Sequence, residues 1–240
     1  MLEPVAMPDF RVSPSSAMST SHVGAERLPV VCIDDFSVNP ALLVAIACEA
    51  VFIDVGSRYP GVRAPAPQAY TNALLSATAA TIEQEFGAPP EADLELCAFS
   101  MVTTAPEKLR PIQRIPHFDG PDRSRIAFIH YLCAPYQGGT SFYRHRATGL
   151  AEITPDNVER YRSKVVDELK ADSPVQAYVI DHTHFFERLH GVEAAFNRLI
   201  IYKGNALHSG DISARTILSE DPRQGRLTIN GFGFLRPSSH

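Results

Sequence analysis

Three residues in this sequence have the types and spacing of a mononuclear metal site. His117 and Asp119 are two positions apart, so an extended backbone projects an imidazole and a carboxylate toward the same point. His208, in the distant segment NALHSG, supplies a second imidazole. Two histidines and one carboxylate form the facial triad that binds Fe(II) and leaves coordination positions open for other ligands. The His-x-Asp pair alone is weak evidence, because a turn with a locally hydrogen-bonded aspartate has the same sequence.

Other histidines in the chain have simpler interpretations. His182 and His184 form a His-x-His pair without a suitably spaced third ligand, so we interpret them as surface or loop residues. His130 precedes Tyr131 on one predicted strand, and an inward Tyr131 therefore requires His130 to pack on the opposite side. We interpret His145 as a polar residue at a strand end, with a position near the substrate as the alternative.

The elements that must position the triad alternate between short strands and three helices. Asn39 precedes Pro40 as a capping residue precedes a first-turn proline, and Thr154 has the same relation to Pro155. These signals, with apolar content and the stop at Gly87, predict helices over 40–52, 68–86 and 155–170. From about Leu94 onward, short apolar runs separated by Gly and Pro are typical of a sandwich or barrel. The predicted strands are 94–104, 125–133, 140–145, 175–180, 186–190, 197–203 and 226–235.

Composition and charge narrow the class of protein. The 240 residues include 22 Lys+Arg and 27 Asp+Glu, a formal net charge of −5, which argues against nucleic acid as a partner. No apolar run has the length of a membrane-spanning helix, and the N-terminus lacks the features of a signal peptide. We therefore expect a cytoplasmic protein with no membrane association.

The composition of the chain also indicates its domain organisation and the state of its cysteines. Residues 1–27 are rich in Ser, Pro, Met and Ala without periodicity, and we expect a flexible tail. Residues 28–240 are expected to form a single α+β, mainly β domain. The four cysteines are far apart and form no Cys-x-x-Cys, which predicts buried free thiols rather than disulfides or a zinc site.

The order of motifs resembles that of the Fe(II)/2-oxoglutarate-dependent dioxygenases, especially the prolyl-hydroxylase-like branch. The elements that carry the resemblance are HFDG from 117, RIAFIHYLC from 125, GGTSFY from 138, NRLIIYKGNALHSG from 197 and RLTINGF from 226. The resemblance covers about residues 29–236. It implies a double-stranded β-helix, also called a jelly roll or cupin-like fold, with supporting helices.

The resemblance also implies roles for individual residues. His117, Asp119 and His208 match the iron ligands. Arg226 matches the residue that pairs with the distal carboxylate of 2-oxoglutarate, a role that suits a planar guanidinium. Thr228 and Tyr131 match hydroxyl groups that assist at the same carboxylate. The implied cofactors are Fe(II), 2-oxoglutarate as cosubstrate and O2.

The sequence departs from the family pattern between the distal histidine and the arginine. Arg226 follows His208 by 18 residues, a longer separation than in most members. The intervening segment contains Pro222 and Gly225 and is interpreted as a lengthened loop, which costs little free energy. Arg215 and Arg223 in this loop remain alternatives to Arg226 as the cosubstrate anchor.

The predicted activity is hydroxylation of a C–H bond with release of succinate and CO2. The substrate class stays open among small molecules, amino acids and peptides. The loop SRYPGVR, residues 57–63, holds two arginines and a tyrosine that would suit a carboxylate-bearing substrate, although Pro-Gly simply making a turn is the alternative. Two other functions remain: a jelly-roll binding or scaffold protein, and a cupin-like metalloprotein without 2-oxoglutarate turnover. A homodimer is the default expectation for a soluble enzyme of this size.

Overall fold

The structure, a computed structural model, describes residues 9–56, 59–88 and 92–236. Within these ranges it is mainly β, as predicted. The α-helices are α1 (Pro40–Glu49), α2 (Gln68–Phe86) and α3 (Val158–Ala171). The strands are β1 (Ala17–Val23), β2 (Leu28–Asp34), β3 (Ile53–Asp54), β4 (Gly61–Pro65), β5 (Ala92–Val102), β6 (Arg125–Tyr131), β7 (Thr140–His145), β8 (Phe186–Val192), β9 (Arg198–Lys203), β10 (His208–Gly210) and β11 (Leu227–Leu235).

The strands form two antiparallel sheets. The large sheet has the spatial order β1-β2-β9-β6-β11-β5-β4-β3, and the small sheet has the order β10-β7-β8. Phe142 of β7 packs edge-on against Tyr202 of β9, with 5.2 Å between ring centroids, in a cluster of buried residues from both sheets. This arrangement is consistent with a β-sandwich.

Alternation along the strands gives the large sheet two different faces. On β6, Phe128 belongs to the cluster that includes residues of α1 and α2, whereas Ile129 and Tyr131 belong to the cluster shared with the small sheet. We call the second surface the inter-sheet face. His130 lies on the helix face, as predicted, where Nδ1 is 2.9 Å from the Tyr70 hydroxyl of α2. The third helix, α3, packs against the small sheet.

Local sequence explains where the first two helices begin and end. Asn39 caps α1, because its side-chain oxygen accepts a hydrogen bond from the Leu42 N–H at 3.2 Å, and Pro40 occupies the first turn. Gly87 ends α2 with a left-handed backbone, at φ 61°, which glycine adopts without steric cost.

Several expectations about the elements were wrong. Residues 17–23, assigned to a flexible tail, form β1 and pair with β2 in full register; residues 1–8 of that tail lie outside the described ranges. The helix predicted from Pro155 begins only at Val158, after Asn157. Residues 175–180 form no strand; the Tyr178 hydroxyl instead donates to the Thr104 carbonyl at 2.7 Å. The short strands β3, β4 and β10 were not predicted.

The cysteines are free, as predicted, but their burial differs from the expectation. Cys133 is buried, whereas Cys32, Cys48 and Cys97 are only half-buried. Within the described ranges, no helix has the length and apolar content needed to cross a membrane.

Candidate metal centre

The structure brings the three predicted ligands together at one edge of the small sheet. The candidate ligand atoms of His117, Asp119 and His208 all lie within 4.8 Å of one another. Asp119 Oδ1 is 4.0 Å from His117 Nε2 and 3.9 Å from His208 Nε2. An ion placed among these atoms would receive two imidazole nitrogens and one carboxylate oxygen, the donor set that suits a first-row divalent metal.

Backbone hydrogen bonds position the ligands. The N–H groups of His117 and His208 each donate to the other residue's carbonyl at 2.8 Å. The Asp119 N–H donates to the Gly204 carbonyl at 2.7 Å. The segment that carries His117 and Asp119 is therefore held in register against the chain that leads into β10, and this register does not require a metal.

A second hydrogen bond orients the His208 ring. Its Nδ1 lies 2.9 Å from the Ala206 carbonyl oxygen, which is an acceptor only, so Nδ1 carries the proton. The lone pair is then on Nε2, the nitrogen that faces Asp119. Such a bond from the second nitrogen commonly fixes the tautomer of metal-ligating histidines. The Tyr202 ring packs edge-on against the same imidazole at 4.8 Å between centroids.

The Asp119 carboxylate has one buried oxygen, Oδ2, that makes no hydrogen bond within the described residues. Burial raises the pKa of this carboxyl to about 6, although the charges of His117, Arg125 and Arg63 lower it. At Gly204 a Cβ would lie 3.1 Å from Oδ2, so a larger residue would crowd the carboxylate. A buried anion without a direct partner is expensive, and a bound cation would satisfy it.

Both histidines favour the neutral form that binds metals. Desolvation of its ring and the neighbouring His208 together lower the pKa of His117 to about 4, against the raising effect of Asp119, even though 54% of the side-chain surface is exposed. Burial also lowers the pKa of His208 to about 4, partly offset by its bond to Ala206. Neutral imidazoles present free lone pairs at neutral pH, so metal binding there needs no proton release from these rings.

The three residues predicted to bind a cosubstrate share the inter-sheet face. Thr228 of β11 is paired directly with Tyr131 of β6. The Arg226 guanidinium lies 5.6 Å from the centre of the Tyr131 ring. The Tyr131 hydroxyl is 2.7 Å from Thr140 Oγ1, and the Thr228 hydroxyl donates to Asn230 Oδ1 at 2.8 Å.

Arg226 is already partly engaged by the protein. It is 5% exposed, and its Nε and Nη2 donate to the carbonyls of Gly138 and Gly139, each at 2.9 Å. Its Nη1 makes no hydrogen bond to residues that the structure describes. The competing Arg215 and Arg223 are both exposed. Among these three arginines, Arg226 alone has a buried guanidinium beside Tyr131.

Sequence reasoning missed Tyr202. This residue of β9 is buried on the inter-sheet face, and its hydroxyl has no hydrogen bond among the described residues. Burial raises its pKa well above the ordinary value, and the charges of Asp119 and Arg226 both act on it. Period-two alternation in RLIIYK was the available signal, because it aligns Tyr202 with buried Ile200.

His145, His182 and His184 do not belong to this group of ligand atoms. His182 and His184 are exposed, as predicted. His145 is the last residue of β7, as predicted, but it is fully buried: its ring nitrogens lie 2.8 Å from Thr148 Oγ1 and 2.7 Å from Glu168 Oε2. Glu168 belongs to α3, so His145 links the small sheet to that helix.

Fold and site together define a mainly β protein with a candidate His-Asp-His metal centre. The chain belongs to a family of unknown function, DUF6445, whose model matches residues 14–233. No curated protein matches the chain. Among solved structures it is similar to the crystal structure of AviO1 from Streptomyces viridochromogenes Tue57, at 11% identity and a TM-score of 0.44, covering 97% of this chain and 92% of that chain. Neither likeness assigns an activity.

Proposed function

We propose that this protein is an Fe(II)- and 2-oxoglutarate-dependent dioxygenase that hydroxylates a C–H bond of its substrate. The observation that carries the proposal is the convergence of His117, Asp119 and His208, with ligand atoms within 4.8 Å. Two histidines and one carboxylate are the donor set of non-haem Fe(II) oxygenases. The buried cation of Arg226 beside Tyr131 adds a site for a small dicarboxylate.

A double-stranded β-helix is the proposed form of the sandwich. The neighbouring strands β9-β6-β11-β5 would be its larger sheet, and β10-β7-β8 its smaller one. The bridge between His117 and His208 adds the metal-binding segment beside β10, giving the smaller sheet a fourth member. Four strands facing four is the arrangement of a jelly roll.

The chain's own residues would bind and orient the reactants. Fe(II), when bound with 2-oxoglutarate and O2, supplies the oxidation that inserts oxygen into the substrate and releases succinate and CO2. His117, Asp119 and His208 would hold the metal on one face. Arg226 would pair with the distal carboxylate through Nη1 and the second hydrogen of Nη2, the edge turned away from its two carbonyl bonds.

The hydroxyl groups around Arg226 would complete the cosubstrate site. Tyr131 and Thr228, paired across β6 and β11, offer two phenol or alcohol oxygens beside the guanidinium. The Tyr202 hydroxyl, which has no hydrogen bond within the described part of the chain, is subject to the charges of both Asp119 and Arg226, and we expect it to act as a donor between the metal and the anchor. An anion held between the sheets requires such donors, since it loses its water there.

Asp119 also favours hydroxylation over halogenation. In related halogenases a halide occupies the coordination position of the carboxylate, and here the carboxylate is present. The substrate class stays open among small molecules, amino acids and peptides.

One observation favours a second function, that of a metalloprotein without 2-oxoglutarate turnover. Arg226 donates two hydrogen bonds to backbone carbonyls, so it has a structural role even without a dicarboxylate. Under this alternative the metal would bind equally well to the wild type and to an Arg226→Gln variant, and 2-oxoglutarate would bind to neither.

The deciding experiment is an anaerobic titration of the Fe(II)-loaded protein with 2-oxoglutarate. The expected result is a metal-to-ligand charge-transfer band that saturates in the wild type and is absent from His117→Ala. If the wild type binds iron but shows no band, the metalloprotein alternative is supported. If the wild type neither binds iron nor shows the band, the dioxygenase proposal is wrong. Mass spectrometry of a cell extract incubated with enzyme, Fe(II) and 2-oxoglutarate would then seek a product heavier by one oxygen atom.

A further inference from the structure

Arg63 of β4 is a half-buried cation without a hydrogen-bond or ion-pair partner among the residues that the structure describes. Its Nε is buried and makes no hydrogen bond, and the side chain forms no ion pair among the described residues. Burial lowers the pKa of the guanidinium, in keeping with its loss of water. Arginines in such positions are normally paired, because an uncompensated buried charge is costly. Arg63 therefore has unused capacity to bind an anion.

Two aromatic rings hold this guanidinium in place. Its central carbon lies 4.2 Å from the ring centre of Tyr59 and 5.6 Å from that of Phe232. Stacking on aromatic faces stabilises a guanidinium while leaving its in-plane N–H groups free. The Tyr59 hydroxyl is itself buried and has no partner in hydrogen-bonding geometry within the described residues, although the Ser100 side chain is near enough to lower its pKa. The pair thus presents two kinds of unused donor together.

Strand register aligns Arg63 with the proposed cosubstrate residues. Arg63 is paired with Ser100 of β5, and Ser100 is paired with Thr228 of β11. Residues paired across neighbouring strands share a sheet face, so Arg63 belongs to the inter-sheet face that carries Thr228 and Tyr131. With strands about 4.8 Å apart, the Arg63 and Thr228 backbones are separated by roughly 10 Å. Arg63 is therefore near the proposed Arg226 site yet distinct from it.

The charge of Arg63 also affects the pKa values of two of the candidate metal ligands. It lowers the pKa of both His117 and Asp119, and Asp119 in turn raises that of Arg63. No contact within 4.0 Å joins Arg63 to Asp119. The space beside the metal centre thus has a cation on its β4 side that makes no direct ion pair with the Asp119 carboxylate.

We propose that Arg63 and Tyr59 bind a carboxylate group carried by the substrate. The inference rests on the proposed function, since it names the substrate class of that same site. A planar carboxylate matches one guanidinium edge plus one phenol, whereas a phosphate dianion would call for further cations. Arg226 would hold the cosubstrate and Arg63 the substrate, so each anion has its own arginine. Arg58, the other arginine of this loop, lies outside the described residues.

The test measures carboxylate binding directly, without turnover. The full chain, loaded with redox-inert Zn(II), is titrated with acetate, butanoate and hexanoate, and with the matching amides as uncharged controls. The Arg63 Nε–H resonance, assigned by its loss in Arg63→Gln, reports the contact. We expect carboxylates to shift this resonance and amides to leave it unchanged. In isothermal titration, which does not depend on that resonance, Arg63→Gln should weaken carboxylate binding about tenfold or more, and Tyr59→Phe several-fold.

Two outcomes would overturn the proposal. Equal binding of amides and carboxylates would exclude a charge-recognising site at Arg63. A loss of 2-oxoglutarate binding in Arg63→Gln but not in Arg226→Gln would make Arg63 the cosubstrate anchor instead. The amide comparison uses the wild-type protein, so it stands even if a variant fails to fold.

The same data separate this inference from the proposed function. If 2-oxoglutarate gives no charge-transfer band but carboxylates still shift the Arg63 resonance, the dioxygenase proposal fails and the anion site stands. If the band forms but carboxylates leave Arg63 unchanged, the dioxygenase proposal stands and the substrate inference fails.

Discussion

His117 and His208 are joined by two backbone hydrogen bonds, each N–H donating to the other's carbonyl at 2.8 Å. The ring centroids are consequently 4.3 Å apart. Because the backbone bonds set the separation of the two main chains and the Ala206 carbonyl orients the His208 ring, the approximate positions of the imidazoles do not depend on a bound metal. The metal-free protein should therefore retain a largely assembled site.

The first prediction concerns His117→Ala. This side chain is 54% exposed, so its removal should cost less than about 1 kcal/mol of folding free energy. Loss of one of three ligands should nevertheless reduce bound metal to background. Metal content per chain and the thermal midpoint should be measured together, before and after chelation. Chelation should lower the thermal midpoint of the wild type and leave that of His117→Ala unchanged. If His117→Ala retained the metal content of the wild type, the metal would have to bind at another site.

The second prediction concerns Asp119→Asn. Oδ2 is buried without a hydrogen bond in the described structure, so the carboxylate is an uncompensated charge when metal is absent. The metal-free variant should be more stable than the metal-free wild type by about 1 kcal/mol or more. With metal added the order should reverse, since only the wild type gains binding free energy. Urea unfolding at pH 7.5, with and without chelator, checks both halves; a less stable metal-free variant would contradict the argument.

The third prediction compares three arginines. Arg226→Gln should abolish 2-oxoglutarate binding and destabilise the fold by about 1 to 3 kcal/mol, because Gly138 and Gly139 lose charged donors. Arg215→Gln and Arg223→Gln serve as matched controls, since both side chains are exposed, and should change neither property. Isothermal titration of the metal-loaded proteins measures the binding. If only Arg215→Gln or only Arg223→Gln lost 2-oxoglutarate binding, that arginine would be the cosubstrate anchor instead of Arg226.

The fourth prediction concerns stability in acid. Burial lowers the pKa of His130 to about 4, from an ordinary value of 6.5, despite its bond to Asn197. The folded state therefore binds this proton less readily than the unfolded state, and stability should fall as pH drops from about 6.5 toward 4. One such group contributes roughly 3 kcal/mol over that range.

His130→Gln isolates this contribution. Glutamine offers one donor and one acceptor to Asn197 and Tyr70, the two partners of the imidazole, and it does not titrate. Free energies of unfolding measured between pH 4 and 8 should show a shallower acid slope for the variant. Because His117 and His208 remain in both proteins, the difference between the slopes belongs to His130. Equal slopes would contradict the assignment.

The sequence was sufficient to predict the parts of the molecule that local patterns specify. A short apolar run indicated the strand that carries His130 and Tyr131, and a capping asparagine with Pro40 indicated α1. Grouping His117 and Asp119 with the distant His208 came from the order of motifs, and the structure agrees on their proximity. The predicted dioxygenase activity stays a proposal.

Other parts depend on partners that are distant in the chain. Strand β1, AMSTSHV, is mostly exposed and has little apolar surface of its own, so its order comes from pairing with β2. The apolar run ending at Ile180 looks like a strand, but Tyr178 bonds to the Thr104 carbonyl instead of joining a sheet. Arg63 was noticed only as one arginine of a loop. Among the described residues, Arg63 has no hydrogen-bond or ion-pair partner on the inter-sheet face. That absence depends on the tertiary structure and is not visible in the local sequence.

The two ends of the long segment between β10 and β11 both lie beside residues 138–142. His208–Gly210 pairs with Thr140–Phe142, and Arg226 bonds to Gly138 and Gly139 immediately before them. Extra residues inserted between these fixed ends would extend outward without altering the register of Thr228. The exposed positions of this segment, such as Arg215 and Arg223, are consequently where added length would cost little free energy, and where an engineer could graft new sequence while leaving the metal ligands in place.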